Sequence, residues 1–126
     1  MEGYPYPFPV RYLSLTNGGQ PVRMAYMDVP PKQASNGKAV FLLHGKNFFG
    51  AYWRGTVERL SGAGFRVIVP DRVGFGKSSK PLIDYSFDEF AANDVVLAKS
   101  LGIDRFAVVG HSMGGMEAMR LARGYP

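Results

Sequence analysis

The stretch Val108–Gly115 reads VVGHSMGG, and it decides how the rest of the chain is interpreted. It predicts a strand that turns directly into a helix. Its centre has the pattern G-x-S-x-G, with Ser112 between Gly110 and Gly114. A serine on so sharp a turn projects its hydroxyl beyond the sheet, and the residues two before and two after it are so crowded that both need to be glycine. The pattern predicts a nucleophilic serine at the carboxyl end of a strand.

A second segment, Leu42–Asn47 (LLHGKN), follows another apolar run. Loops at the carboxyl ends of neighbouring parallel strands meet in one crevice, so the backbone N–H of Lys46 is expected to join that of Met113 in holding an oxyanion. His44 is expected to hydrogen-bond within this loop, and His111 to point away from Ser112. Neither histidine is favoured as the catalytic base.

The third segment, Pro70–Ser78 (PDRVGFGKS), ends like a phosphate-binding loop. The first glycine of that motif would fall at Asp71, and a carboxylate there opposes a polyphosphate. Nucleotide binding is therefore disfavoured. Asp71 is expected to accept backbone N–H groups and to hold the loop in shape.

The remaining pattern predicts two antiparallel strands followed by alternating strands and helices. Asn17-Gly18-Gly19 supplies a hairpin turn, and Ser86 with Glu89 forms a capping box. The predicted strands cover Val10–Leu15, Pro21–Val29, Lys38–Leu43, Phe65–Val69 and Arg105–Val109, and the predicted helices cover Ala51–Gly62, Ser86–Ser100 and Met113–Arg123. This order predicts an α/β fold: an open, mostly parallel sheet with flanking helices.

The composition limits what else the chain could do. Its 126 residues predict an extended Pro-aromatic arm over residues 1–9 and a single domain unit over 10–126. The absence of cysteine and the presence of only two histidines disfavour a zinc site, and no organic cofactor is implied. The net charge of +5 is spread singly along the chain, which disfavours nucleic-acid binding. No apolar run predicts a membrane span, and as written the N-terminus is no signal peptide; localisation stays open between the cytoplasm and export from a longer precursor.

Together the three segments resemble the oxyanion loop, the glycine loop and the nucleophile elbow of the α/β-hydrolase fold, in that order along the chain. The resemblance implies a serine hydrolase in which Ser112 is the nucleophile and the backbone N–H groups of Met113 and Lys46 are oxyanion donors. Haloalkane dehalogenases and epoxide hydrolases of this superfamily carry aspartate at the elbow, so serine disfavours their chemistry. Phe48 and Phe49 are expected to line an apolar acyl pocket, whereas Trp53 is expected in the core.

The sequence departs from the family pattern in the residues that follow the nucleophile. The family carries its acid and then its histidine after the nucleophile, whereas the residues after Ser112 contain Glu117 and no histidine. Glu117 is expected to be solvated or packed against a neighbour. The chain is interpreted as the N-terminal half of a hydrolase, inactive or weak alone, with an exposed apolar edge strand that invites pairing. Two alternatives remain: a non-catalytic ligand-binding protein, and a fragment that works only with a partner chain.

Overall fold

A computed structural model describes residues 6–32, 35–44, 53–80, 86–111 and 113–124. The strands are β1 (Val10–Asn17), β2 (Gln20–Val29), β3 (Ala39–Leu43), β4 (Arg66–Pro70) and β5 (Ala107–Gly110), and the helices are α1 (Arg54–Gly62), α2 (Phe87–Ser100) and α3 (Met113–Gly124). The strands form one sheet in the order β1-β2-β4-β3-β5.

The first two strands form the predicted hairpin. Gly18 and Gly19 have φ values of 56° and 75°, and Asn17 pairs with Gln20 across the turn. Left-handed backbone at both central residues gives a two-residue turn whose twist matches that of the strands. β1 therefore extends two residues beyond the predicted Leu15.

The chemistry-bearing half of the sheet is parallel. β3 pairs in parallel with β4 on one side and with β5 on the other, while β2 joins β4 antiparallel. All five residues of β3 are buried, as expected of a strand covered on both faces. The α/β prediction is confirmed, and the carboxyl ends of β4, β3 and β5 lie along one edge of the sheet.

Alternation along β3 separates two apolar layers. Phe41 and Leu43 pack with residues of α2 and α3, whereas Val40 and Leu42 pack with Val57 of α1. Burying a side chain such as Leu42 contributes about 2 kcal/mol to folding. Helices thus cover both faces of the sheet and fix its carboxyl edge in place.

The helix ends follow local chemistry closely. Ser86 Oγ accepts the backbone N–H of Glu89 at 3.1 Å, which confirms the predicted start of α2. α1 covers Arg54–Gly62, and the first two residues of the predicted helix, 51 and 52, lie outside the described residues. Half-buried Trp53 packs against the layer that includes Val57, as the core interpretation expected. β5 begins two residues after the predicted Arg105, at Ala107.

Candidate active site

β5 passes into α3 through a very short turn. The backbone N–H of His111 donates to the carbonyl of Leu43 at 3.1 Å, so the contact with β3 continues past the end of β5. The N–H of Gly114 then donates to the His111 carbonyl at 2.9 Å, which closes the first turn of the helix. Ser112 itself lies outside the described residues, but both sides of the turn that bears it are defined.

Gly110 and Gly114 have no room for a side chain. A Cβ atom on Gly110 would lie 2.3 Å from the carbonyl oxygen of Gly114, and one on Gly114 would lie 2.1 Å from the carbonyl oxygen of Leu43. Both obstacles are backbone atoms, which cannot turn aside as a flexible side chain can. The second contact is with β3, so glycine at 114 allows the start of α3 to approach the neighbouring strand.

The turn lies beside the end of β3, as the predicted site requires. Leu43 is the register partner of Gly110, so the loop that follows β3 begins next to the turn. Met113 opens α3, and the first N–H groups of a helix are the ones that can bind an anion. The other predicted site residues, Lys46, Phe48 and Phe49, lie outside the described residues.

His44 is buried directly after β3, with 1% of its surface exposed. The backbone N–H of Arg72 donates to its Nε2 at 3.0 Å. A backbone N–H can only donate, so Nε2 is occupied as its acceptor. His44 therefore anchors two loops to each other, and its Nε2 is not available to take a proton from a serine.

A buried ion pair joins the loop after β4 to α3. Arg72 Nε donates to Glu117 Oε1 at 2.6 Å, and both side chains are 3% exposed. The same guanidinium donates through Nη2 to the carbonyl of His44 at 2.7 Å. Glu117 is thus packed against a neighbour, one of the two surroundings expected for it, and is held as the partner of Arg72.

Asp94 of α2 completes this polar cluster. Burial, followed by the charge of Glu117 and a hydrogen bond with it, raises the pKa of Asp94 well above its ordinary value, and the positive charge of Arg72 opposes the rise. Asp94 therefore keeps its proton to higher pH than an exposed aspartate and donates it to Glu117. A protonated Asp94 leaves Arg72 and Glu117 as a balanced pair of charges in the interior, where an unbalanced charge is costly.

The space inside this cluster is too small for a substrate. The cavity bordered by His44, Arg72, Asp94 and Glu117 has a volume of about 10 Å³. That is room for about one water molecule. The cluster therefore supports the loops around the turn and does not bind a substrate itself.

Asp71, the neighbour of Arg72, holds the glycine loop. Its Oδ2 accepts the backbone N–H of Lys77 at 2.9 Å and the hydroxyl of Tyr6. Burial and the bond to Asp71 raise the pKa of the Tyr6 hydroxyl. A Cβ atom on Gly76 would lie 2.3 Å from Asp71 Oδ2, so the carboxylate fills the centre of the loop where a phosphate would have to bind.

Sequence reasoning missed the buried cluster formed by Arg72, Asp94 and Glu117. The available signal was helical spacing. Glu117 lies three residues after Gly114 and four before Leu121, both buried, so it occupies the inner face of α3. Asp94 has the same position on α2, between Phe90 and Leu97. A charged residue on the apolar face of each of two helices indicates a buried polar cluster.

The alpha/beta hydrolase fold family model matches residues 38–126, which include β3, β4, β5 and the turn. The chain belongs to this family. A probable hydrolytic enzyme from Pseudomonas aeruginosa PAO1 is 52% identical, with a TM-score of 0.95, over 98% of this chain and 40% of that chain. A thermophilic esterase from Thermogutta terrifontis is 30% identical, with a TM-score of 0.80, over 91% of this chain and 41% of that chain.

A haloalkane dehalogenase from Mycolicibacterium paratuberculosis is 32% identical over 96% of this chain and 40% of its own length. This alpha/beta hydrolase chain therefore spans about two fifths of the length of these relatives. In the described part of the chain, no helix is long and apolar enough to cross a membrane. The same residues contain no group of three or more His, Cys, Asp or Glu side chains placed to hold a metal ion.

Proposed function

We propose that this chain carries the nucleophile of a serine hydrolase, which cleaves an ester or related acyl substrate through an acyl-enzyme on Ser112. The observation that carries the proposal is the turn between β5 and α3. Gly110 and Gly114 flank Ser112 in the sequence, and backbone atoms pack against both too closely for any side chain. Such close approach is what a sharp strand-to-helix turn under a nucleophile requires.

The proposed reaction has two steps. Ser112 Oγ attacks the carbonyl carbon while its proton passes to a base, the bond to the leaving alkoxide breaks, and the alkoxide leaves as the alcohol with that proton. Water then hydrolyses the acyl-serine to the acid and restores the hydroxyl. Backbone N–H groups of Met113 and Lys46 stabilise the oxyanion in both steps, and losing one such donor typically costs about 3 kcal/mol of transition-state stabilisation.

Serine at position 112 separates this proposal from the chemistry named for one relative. The haloalkane dehalogenase aligns over nearly the whole chain. The family resemblance implies aspartate at the elbow of such enzymes, where this chain has Ser112. A hydroxyl nucleophile suits acyl transfer, because it forms an ester that water can hydrolyse. The esterase from Thermogutta terrifontis is a relative whose named class agrees with this choice. Phe48 and Phe49 would favour an apolar acyl group.

The proposal assigns the catalytic base and its acid partner to a longer enzyme of which this chain is a part. Nε2 of His44 accepts the backbone N–H of Arg72, and Glu117 is held by the Arg72 side chain. The segment shared with this chain is 40% of the Pseudomonas aeruginosa protein, so that relative is about two and a half times as long as the shared segment. We therefore place the histidine and its acid in the region that corresponds to the remainder of those relatives.

A fluorophosphonate probe tests the proposal directly in the full-length gene product. We expect covalent labelling of Ser112, located by mass spectrometry of the peptide that contains it. Ser112→Ala removes the labelling, whereas Ser100→Ala, which alters an exposed serine at the end of α2, leaves it unchanged.

Two outcomes distinguish the proposal from its alternatives. A folded full-length protein that is unlabelled at Ser112 contradicts the hydrolase and favours a non-catalytic ligand-binding protein. Labelling that appears only after a second chain is added favours the fragment that needs a partner.

A further inference from the structure

We propose that Arg72 is a positioning residue of this hydrolase: one buried guanidinium ties His44, at the end of β3, to α3, and these are the points from which the segments with the two proposed oxyanion donors extend. The inference rests on the proposed function, because it concerns the placement of the backbone N–H groups of Lys46 and Met113. Arg72 does not touch the substrate in this arrangement.

The contacts of Arg72 reach both segments that carry the donors. Its Nη2 donates to the His44 carbonyl at 2.7 Å, two residues before Lys46. Its Nε donates to Glu117 at 2.6 Å, four residues and about one turn after Met113. Its backbone N–H also donates to His44 Nε2 at 3.0 Å. Three bonds from one residue therefore fix the end of β3 relative to the start of α3.

The guanidinium is itself held in one orientation. It lies over the rings of Phe75 and Phe90, with its central carbon 5.4 Å and 5.1 Å from the ring centres. Arg72 as a whole is 4% exposed. Buried cation–π contacts on planar rings restrict the guanidinium, and its planar fork of donors reaches two acceptors in fixed directions. A lysine ammonium, as a single point of charge on a flexible stem, reproduces neither feature.

The contact between α3 and β3 supplies the reason why such a restraint is needed. Glycine at 114 allows the helix backbone to approach Leu43 and His44 so closely that a Cβ atom there would lie 2.1 Å and 2.8 Å from their carbonyl oxygens. At Gly114 the helix meets β3 through backbone alone. Arg72 spans the same junction one helical turn further along, and an oxyanion hole works only if its donors are held to within about 0.5 Å.

The test uses the full-length enzyme and three variants. Arg72→Lys keeps the charge but loses the fork, and Glu117→Gln keeps the shape and an acceptor but loses the charge. Arg120→Lys is the matched control, since Arg120 lies on α3, as Glu117 does, and forms an exposed ion pair with Asp88 of α2. For each protein we would measure the thermal unfolding transition, kcat and KM for a p-nitrophenyl ester, and the rate of fluorophosphonate labelling.

We expect Arg72→Lys and Glu117→Gln to lower kcat by about 10- to 100-fold, with KM within about 2-fold of the wild type. The labelling rate should fall in parallel, and Arg120→Lys should match the wild type. A merely structural role would lower the melting temperature and leave kcat of the folded fraction unchanged. A loss of kcat in a folded variant therefore indicates positioning, whereas a lower melting temperature with unchanged kcat indicates a role in stability alone.

The failures are distinguishable. If the wild type neither turns over the ester nor labels at Ser112, the proposed function is wrong. If the wild type is active and either folded variant keeps its kcat, Arg72 does not position the donors. If both variants lose their cooperative unfolding transition, the cluster is a folding element and the positioning role is wrong.

Discussion

Asp94 lies on the inner face of α2, where burial and the neighbouring charge of Glu117 raise the pKa of its carboxyl well above the ordinary value of 3.8. The groups that face it are Glu117 from α3, Arg72 from the loop after β4, and His44 from the end of β3. In the unfolded chain the same carboxyl loses its proton near the ordinary value. The folded state therefore binds the extra proton over the interval between the two pKa values.

This difference sets the sign of a pH dependence. Where the folded state binds more protons, the free energy of unfolding falls as pH rises, by up to about 1.4 kcal/mol per pH unit for one group. We expect Asp94→Asn to remove that slope above pH 4 and to raise stability at neutral pH, because the amide still donates to Glu117 without an ionisable proton. Urea unfolding of both proteins from pH 4 to pH 8 measures the free energy of unfolding and its slope with pH.

The exposed Asp104 provides the control for this prediction. Asp104→Asn removes a carboxylate from the surface, so the wild-type slope should be retained. If Asp94→Asn and the wild type lose stability in parallel as the pH rises, Asp94 is not the group that binds the extra proton.

At the scale of elements, the junction of β3 and α3 depends on two adjacent glycines with opposite surroundings. A Cβ atom on Gly114 would collide with the backbone of Leu43, whereas the nearest atom to one on Gly115 is the Gly110 carbonyl oxygen at 3.9 Å, an ordinary contact. Both glycines lie in the first turn of the same helix. Comparing an alanine substitution at each glycine therefore separates the effect of packing from the effect of helix propensity.

We expect Gly114→Ala to lower the free energy of unfolding by about 2 kcal/mol or more, since backbone must move to admit the methyl group. Gly115→Ala should be neutral or stabilising by up to about 1 kcal/mol, because alanine favours the helix and finds space. Urea unfolding of the two variants and the wild type measures both changes. Equal losses for the two would show that the close approach of α3 to β3 is not what requires glycine.

For the whole molecule, local sequence patterns were sufficient to predict the elements. The continuous apolar run Ala39–Leu43 indicated a strand covered on both faces, and Ser86 with Glu89 marked the start of α2. Each of these signals lies within a few residues of the feature it predicts. The signal of Gly110 and Gly114 is equally local, because these glycines directly flank the sharp turn that requires them.

The buried polar contacts could not be predicted in the same way. Arg72 and Glu117 are 45 residues apart, and the reciprocal amide pair of Asn17 and Asn93 joins residues 76 apart. In an isolated segment each of these side chains is most stable in water. Only the packing of α2 and α3 on one face of the sheet buries them together, so their partners follow from the tertiary structure and not from their neighbours in sequence.

β5 lies at an edge of the described sheet. Val109 is 43% exposed, and the groove beside the strand, of about 960 Å³, is lined mostly by apolar residues that include Phe106, Val108 and Met119, together with three charged residues, Lys99, Asp104 and Arg105. This groove is bordered by residues before β5 and by the C-terminal part of α2, so it lies away from the carboxyl edge where the candidate site is. An apolar strand edge next to an apolar groove favours association.

We expect the 126-residue chain, expressed alone, to self-associate at micromolar concentration through the β5 edge, as measured by size-exclusion chromatography with light scattering. Val109→Lys should shift the population toward monomer, because a charge at a strand edge opposes pairing. Val96→Lys is the matched control: Val96 lies on α2 and is 44% exposed, so it adds the same charge at a similar exposure away from the strand. A wild-type chain that elutes as a clean monomer and melts cooperatively would contradict edge pairing, and an equal effect of both lysines would assign any association to net charge and not to β5.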